Sequence, residues 1–128
     1  MRWLITAVWA LVGLVKMFPV VGLLSEPWLV RLYGDVITHP DTAILLRHRA
    51  LYLGITGALI IYAALNQEWR PLAFFIATLS MLSFVLITFT SDAGAALRRI
   101  AAIDCALFAA LSVAILLEHL IMKRGAIS

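Results

Sequence analysis

Few residues in this chain can do chemistry, and they stand inside otherwise apolar runs. Lys16 interrupts the first run, the triplet Arg47-His48-Arg49 opens the second, Asp104 lies in the last, and Glu118-His119 sits near the end of that last run. An ammonium, a guanidinium and a carboxylate brought together in apolar surroundings can form a structural ion pair, hold an anionic ligand, or relay a proton. Each must find a partner, because a lone charge in hydrocarbon costs a few kcal/mol or more.

Depth along a helix groups three of them. At a rise of about 1.5 Å per residue, Lys16 lies roughly 12 Å before Leu24, Arg47 roughly 9 Å after Asp41, and Asp104 roughly 10 Å after Leu97. If successive helices alternate direction, all three fall in the same half of the structure. Helical spacing sets their faces. Arg47, Ala50, Gly54, Gly57 and Ala58 form one stripe, Thr6, Trp9, Gly13 and Lys16 a second, and Ala101, Asp104, Cys105, Phe108 and Ser112 a third. Small residues at such spacing let helix backbones approach closely. Arg47 is therefore expected to point inward and Arg49 sideways. The simplest construction sets Asp104 between Lys16 and Arg47, with His48 and Arg49 beside them. Asp92 from the next loop, or a ligand, would supply the missing anion. The first reading of this cluster is a packing and registry device. Ligand binding comes second and catalysis third.

The remaining polar residues read more simply. Arg49, Arg98 and Arg99 are expected to snorkel to a membrane surface, and His48 to be neutral and hydrogen-bonded. Glu118 and His119 are expected to be interfacial residues of a last helical turn. Ser80, Ser83 and Thr88 read as helix–helix hydrogen-bonding groups, and Cys105 as a small residue of a helix interface. One cysteine forms neither an intrachain disulfide nor a thiolate zinc site. His48 and His119 fall on opposite sides and cannot clamp one haem. No phosphate-binding glycine loop, nucleophile elbow or His-Glu-x-x-His sequence occurs. The expectation is no metal, no cofactor and no enzyme.

The elements that must position these residues follow from composition. Of 128 residues, 64% are hydrophobic and 13% charged, with a net charge of +3 and a mean hydropathy of +1.04. A soluble domain is about 45–50% apolar and about 25% charged. An ordinary soluble enzyme, a disordered tail and a nucleic-acid binder are excluded. Apolar runs span about 3–24, 44–65, 71–90 and 97–121, each near the roughly 20 residues that cross hydrocarbon. Lipid offers no partner to a peptide group, so each run should be helical, and none shows the alternation of a membrane barrel. The predicted fold is all-α: residues 1–128 form one integral membrane domain, an antiparallel four-helix bundle. The first run imitates a signal peptide, but Lys16 and Pro19 interrupt it and it is expected to remain as a span.

Short connections join the last three spans. Pro71 should open the third, and Ser91 or Asp92 should cap the fourth. The first connection, Ser25 to Ala43, is long. Ser25-Glu26-Pro27 reads as a helix start and Gly34 as its stop, giving a short interfacial helix with Trp28, Leu29, Leu32 and Tyr33 on its apolar face. Asp41 or Thr42 should cap the second span. Both termini fall on one side. If the basic residues of the other side lie inside the protein, the terminal side is the uncompensated positive one and faces the cytoplasm.

The stretch Arg47-His48-Arg49-Ala50-Leu51-Tyr52-Leu53-Gly54, running on to Tyr62-Ala63-Ala64, resembles the second span of a group of small, uncharacterised bacterial four-helix inner-membrane proteins. In size and span number the chain is also similar to the DoxX-like group. The resemblance implies a multi-pass protein of the bacterial inner membrane with no established activity. Some relatives carry the label phosphopantetheine adenylyltransferase. That label finds no support here, since such a fold needs alternating strands and helices and a histidine-bearing nucleotide loop. The leading functional expectation is an interaction or accessory subunit, partnered by the lipid bilayer and by a second copy or another membrane protein, without nucleic acid. The alternative is binding or transport of a lipophilic or anionic small molecule at Lys16, Arg47 and Asp104.

Overall fold

The computed structural model describes residues 1–34 and 39–125, with side chains through Lys123. Its elements are α1 (Arg2–Met17), a 3-10 segment (Phe18–Leu23), α2 (Glu26–Tyr33), α3 (Pro40–Leu65), a short 3-10 turn (Gln67–Trp69), α4 (Arg70–Thr90) and α5 (Ala95–Gly125). There is no strand among the described residues. Four helical segments, Arg2–Leu23, Pro40–Leu65, Gln67–Thr90 and Ala95–Lys123, are long and apolar enough to cross a membrane.

Local chemistry explains where the helices start and stop. The first segment is α-helical only to Met17 and continues as 3-10 helix past Pro19. Proline has no N–H, and its ring crowds the carbonyl four residues earlier. α2 begins after Ser25 in extended conformation and ends at Gly34, whose φ of 70° suits glycine and few other residues. α3 starts before the expected boundary, at Pro40. Its N-cap is His39, whose Nδ1 accepts from the Asp41 N–H at 3.4 Å, so the cap is neither Asp41 nor Thr42. At the head of α5, the Arg98 N–H donates to the Gly94 carbonyl at 3.1 Å. Gly94 thus takes the cap position expected for Ser91 or Asp92, which lie exposed in the preceding turn.

α1 and α3 approach each other closely. A Cβ added at Gly57 would stand 2.7 Å from the Gly13 carbonyl oxygen and 2.8 Å from the Met17 nitrogen, and one at Gly13 would stand 2.9 Å from the Gly57 carbonyl oxygen. Only glycine permits that backbone contact. The stripe expected on sequence grounds is therefore used within the chain. Around this crossing, Trp9, Ile60, Met81 and Leu111 are fully buried, joined by Ala63, Ala73, Ala77 and Ala114. A second, smaller knot holds Leu29 and Tyr33 of α2 against Ala43, with Leu46, Leu97 and Ile100 beside them. Of the apolar face expected on α2, Trp28 is the exception: it is exposed and carries the Arg31 guanidinium 5.0 Å from its ring centroid.

Candidate functional site: a buried ion pair at each end of the long helices

α1 brings Lys16 to the site and α5 brings Asp104. The Lys16 ammonium donates to Asp104 Oδ1 at 2.8 Å, with 3% and 6% of the two side chains exposed. The stripes that carry them behave as helical spacing requires, since Trp9, Gly13 and Lys16 on α1 and Ala101 and Asp104 on α5 are all buried. Cys105, from the same predicted stripe, is exposed instead.

The second cation beside Lys16 is Arg49. Arg47 is exposed. Arg49 lies close enough to Lys16 for the two charges to repel, and its guanidinium carbon sits 3.7 Å from the centroid of the Phe84 ring on α4. The reason is the breadth of the buried face of α3. Gly57 meets α1 and Gly54 meets Val20 of the 3-10 segment that follows it, while Leu53, Thr56, Ile60 and Ala63 extend the buried arc around the helix. Arg47 and Arg49 point about 200° apart. The glycine stripe alone favours Arg47, but the full arc takes in Arg49 and leaves Arg47 at its rim. Arg49 is thus covered by an aromatic ring rather than snorkelling free.

Two polar atoms in this half lack partners among the described residues. Asp104 Oδ2 and Arg49 Nε are shut off from solvent and accept or donate no hydrogen bond. His48 is exposed and stands edge-on to the Tyr52 ring with centroids 5.0 Å apart. Asp92 is exposed in the turn before α5 and pairs with no cation among the described residues. Lys16, Asp104 and Arg49 are therefore brought together, while Arg47, His48 and Asp92 are not.

The other end holds a site that the sequence reading missed. Arg70, expected in a loop, is the first residue of α4 and only 2% exposed. Its Nη1 donates to Glu118 Oε1 on α5 at 2.6 Å, and its Nη2 donates to Thr6 Oγ1 on α1 at 3.1 Å. Nε donates to the Ala63 carbonyl at 3.1 Å and Nη2 to the Ala64 carbonyl at 2.9 Å, both in the last turn of α3. The same guanidinium lies 5.7 Å from the Trp9 ring centroid. One side chain thus engages all four long helices. A cation at these carbonyls also opposes the partial negative charge of a helix C-terminus. Two signals pointed here: the interval from Asp104 to Glu118 is about four helical turns, so both share a face, and an arginine just before Pro71 falls where a helix must begin.

No family model matches the chain, and no curated protein or solved structure matches it. A shallow cavity beside Arg70 is lined by Arg2, Gln67, Glu118 and Met122. Among the described residues no group of three or more His, Cys, Asp or Glu side chains is arranged to hold a metal ion. Of the hydroxyls expected to bridge helices, that of Ser83 bonds locally, donating to the Ser80 carbonyl at 3.4 Å, and Ser112 Oγ likewise donates within its own helix, to the Phe108 carbonyl at 2.8 Å.

Proposed function

We propose that this chain is a multi-pass protein of the bacterial inner membrane, an antiparallel four-helix bundle that works as an assembly or accessory subunit. Its buried charges support that architecture. Thr6 meets Arg70 near Glu118, and Lys16 meets Asp104, as helices of alternating direction require. Both ion pairs tie helices to one another, so the polar interior serves cohesion. Function then falls to the outer surface.

The observation that carries the assembly reading is on α5. Ala102, Cys105, Ala106 and Ala109 are all exposed along one side of that helix. Bulky side chains suit contact with lipid tails, whereas small ones allow another helix to approach. The test is cross-linking in native membranes with a thiol-to-thiol reagent acting at the exposed Cys105. A band at twice the monomer mass, lost in Cys105→Ser, is the expected result. A monomer under all mild extraction conditions, bound to a small molecule, would favour the second reading.

That second reading is ligand binding at Lys16, Arg49 and Asp104. It draws support from the unpartnered Asp104 Oδ2 and Arg49 Nε. Two cations and one carboxylate leave a local positive excess that an anionic group would balance.

Orientation follows from the exposed arginines. A cytoplasmic position for the termini rests on the opposite side's cations being internal. Arg31, Arg47, Arg98 and Arg99 are exposed. With the buried Lys16 and Arg70 set aside, these four and Arg49 stand against Arg2, Lys123 and Arg124. Lysine and arginine govern orientation far more than the acidic residues do. This balance supports an orientation in which the side bearing α2 is cytoplasmic and the termini face outward.

A further inference from the structure

At the end of the bundle where α2 meets the first turns of α3 and α5, arginines surround an apolar knot. Leu29, Leu32 and Tyr33 pack there with Ala43, Leu46, Leu97 and Ile100. Arg31, Arg47, Arg98 and Arg99 are the sequence neighbours of Leu32, Leu46, Leu97 and Ile100, and all four are exposed. The packing register thus places an exposed arginine beside each of these half-buried aliphatic side chains. None of the four forms an ion pair among the described residues. The described carboxylates of this end are outside ion-pair distance of these arginines. Glu26 and Asp41 occupy the first turns of α2 and α3, Asp92 lies in the turn before α5, and Asp41 Oδ2 is 3.4 Å from His39 Nδ1. Arg47 lies about 10 Å along α3 from its first residue. Arg98 and Arg99 lie at the start of α5, where the first turn has no acidic residue and the helix end is itself partly positive. Trp28, exposed beneath Arg31, is the amphipathic ring that settles at headgroup level.

We propose that this arginine collar is a binding surface for the phosphate headgroups of anionic phospholipids. The proposal rests on the membrane reading above. A guanidinium pairs with phosphate through two parallel N–H donors. The arginine stems lie along the apolar band while their heads reach the phosphate layer. An arginine near an anionic leaflet favours it about fivefold, so four side chains drawn from three helices constitute a selective surface. The collar faces the side assigned to the cytoplasm.

The test uses the full chain in nanodiscs of phosphatidylcholine, alone or mixed with phosphatidylglycerol, with retained lipids counted by native mass spectrometry. The wild type should retain phosphatidylglycerol over phosphatidylcholine at about tenfold or more the ratio of the two in the bulk disc. Exchange of Arg31, Arg47, Arg98 and Arg99 to glutamine should remove the enrichment, and exchange to lysine should keep most of it. Exchange of Arg2 and Lys123 to glutamine should leave it unchanged. Retention in bulk proportion by the wild type, equal retention by the quadruple glutamine variant, or displacement by millimolar inorganic phosphate would each overturn the proposal. If the quadruple glutamine variant does not fold, the wild-type enrichment and the phosphate competition decide. A chain that fails to enter phosphatidylcholine discs at all overturns the membrane reading instead.

Discussion

Arg70 Nη1 donates to Glu118 Oε1 at 2.6 Å while the same guanidinium holds the Ala63 and Ala64 carbonyls and the Thr6 hydroxyl. Removing the carboxylate leaves a cation nearly sealed from solvent. Breaking a buried pair from one side costs about 3–5 kcal/mol, and the half-buried Glu118 sets the lower end of that range as the expectation for Glu118→Ala. Arg70→Lys keeps the charge but loses the planar fork that serves three helices at once, so it too should melt earlier in detergent. The double variant Arg70→Met/Glu118→Leu should cost less than the sum of its singles. Additive losses would show that the two side chains do not act as a unit.

Lys16 and Asp104 form the corresponding tie at the other end, and here both partners are almost fully enclosed. Asp104→Ala should lower the melting temperature and the yield, because it leaves the buried Lys16 ammonium without its anion. The expected loss is about 3–5 kcal/mol. Exchanging Lys16 for methionine together with Asp104 for leucine should recover part of it. If Asp104→Asn keeps full stability and loses only a measured activity, the carboxylate belongs to a functional site rather than to the scaffold.

How much of this was legible beforehand differs by level. Hydropathy marks the long helices because lipid demands complete backbone pairing. Glycine 34 after Tyr33 marks the end of α2 because few other residues adopt a φ of 70°. Lys16 and Asp104 were paired by equal depth and facing stripes, and they are in contact. The glycine stripe alone misplaces Arg49, because it is only part of the buried face of α3, which Leu53, Thr56, Ile60 and Ala63 widen. By sequence alone Arg70 falls in a loop and Glu118 at an interface, because each stands beside or near the end of an apolar run. A single sequence does not reveal that two run ends converge, since that depends on helix lengths and crossing geometry.

The contrast between Arg47 and Arg49 is itself testable. Arg49 covers the Phe84 ring at 3.7 Å, and a cation over a desolvated ring is worth about 2 kcal/mol. Arg49→Gln should therefore reduce thermal stability measurably. Arg47→Gln, at an exposed position, should stay within about 0.5 kcal/mol of the wild type. Equal effects of the two would contradict the register of α3 described above.

Glycine 57 gives the sharpest steric prediction. An added Cβ would meet the Gly13 carbonyl and the Met17 nitrogen, which are backbone atoms that move only if α1 moves. Gly57→Ala should destabilise the protein by about 1–3 kcal/mol through overpacking, and Gly57→Leu should separate α1 from α3. Gly94, where an added Cβ meets nothing within 4 Å, supplies the control, its alanine variant bearing only the smaller cost of a weaker helix cap. Thermal melts of Gly57→Ala and Gly94→Ala in the same detergent should differ clearly, and coincident melts would mean that the helices do not cross at Gly57.

Membrane orientation is tested by fusions at the C-terminus. Alkaline phosphatase is active only outside the cytoplasm and green fluorescent protein is bright only inside it. With Arg31, Arg47, Arg49, Arg98 and Arg99 counted on the side of α2, the phosphatase fusion should be active and the fluorescent fusion dark. The cause is checked by reversing the bias. Exchanging Arg47, Arg98 and Arg99 for glutamine while adding lysines before Trp3 removes cations from one side and supplies them to the other. Because added terminal charges can invert a multi-pass chain, this variant should raise the fluorescent signal and lower the phosphatase signal. A bright fluorescent fusion on the unmodified chain would place the termini in the cytoplasm. The arginines around α2 would then face the outer leaflet, and the balance of exposed cations would not be what orients this protein.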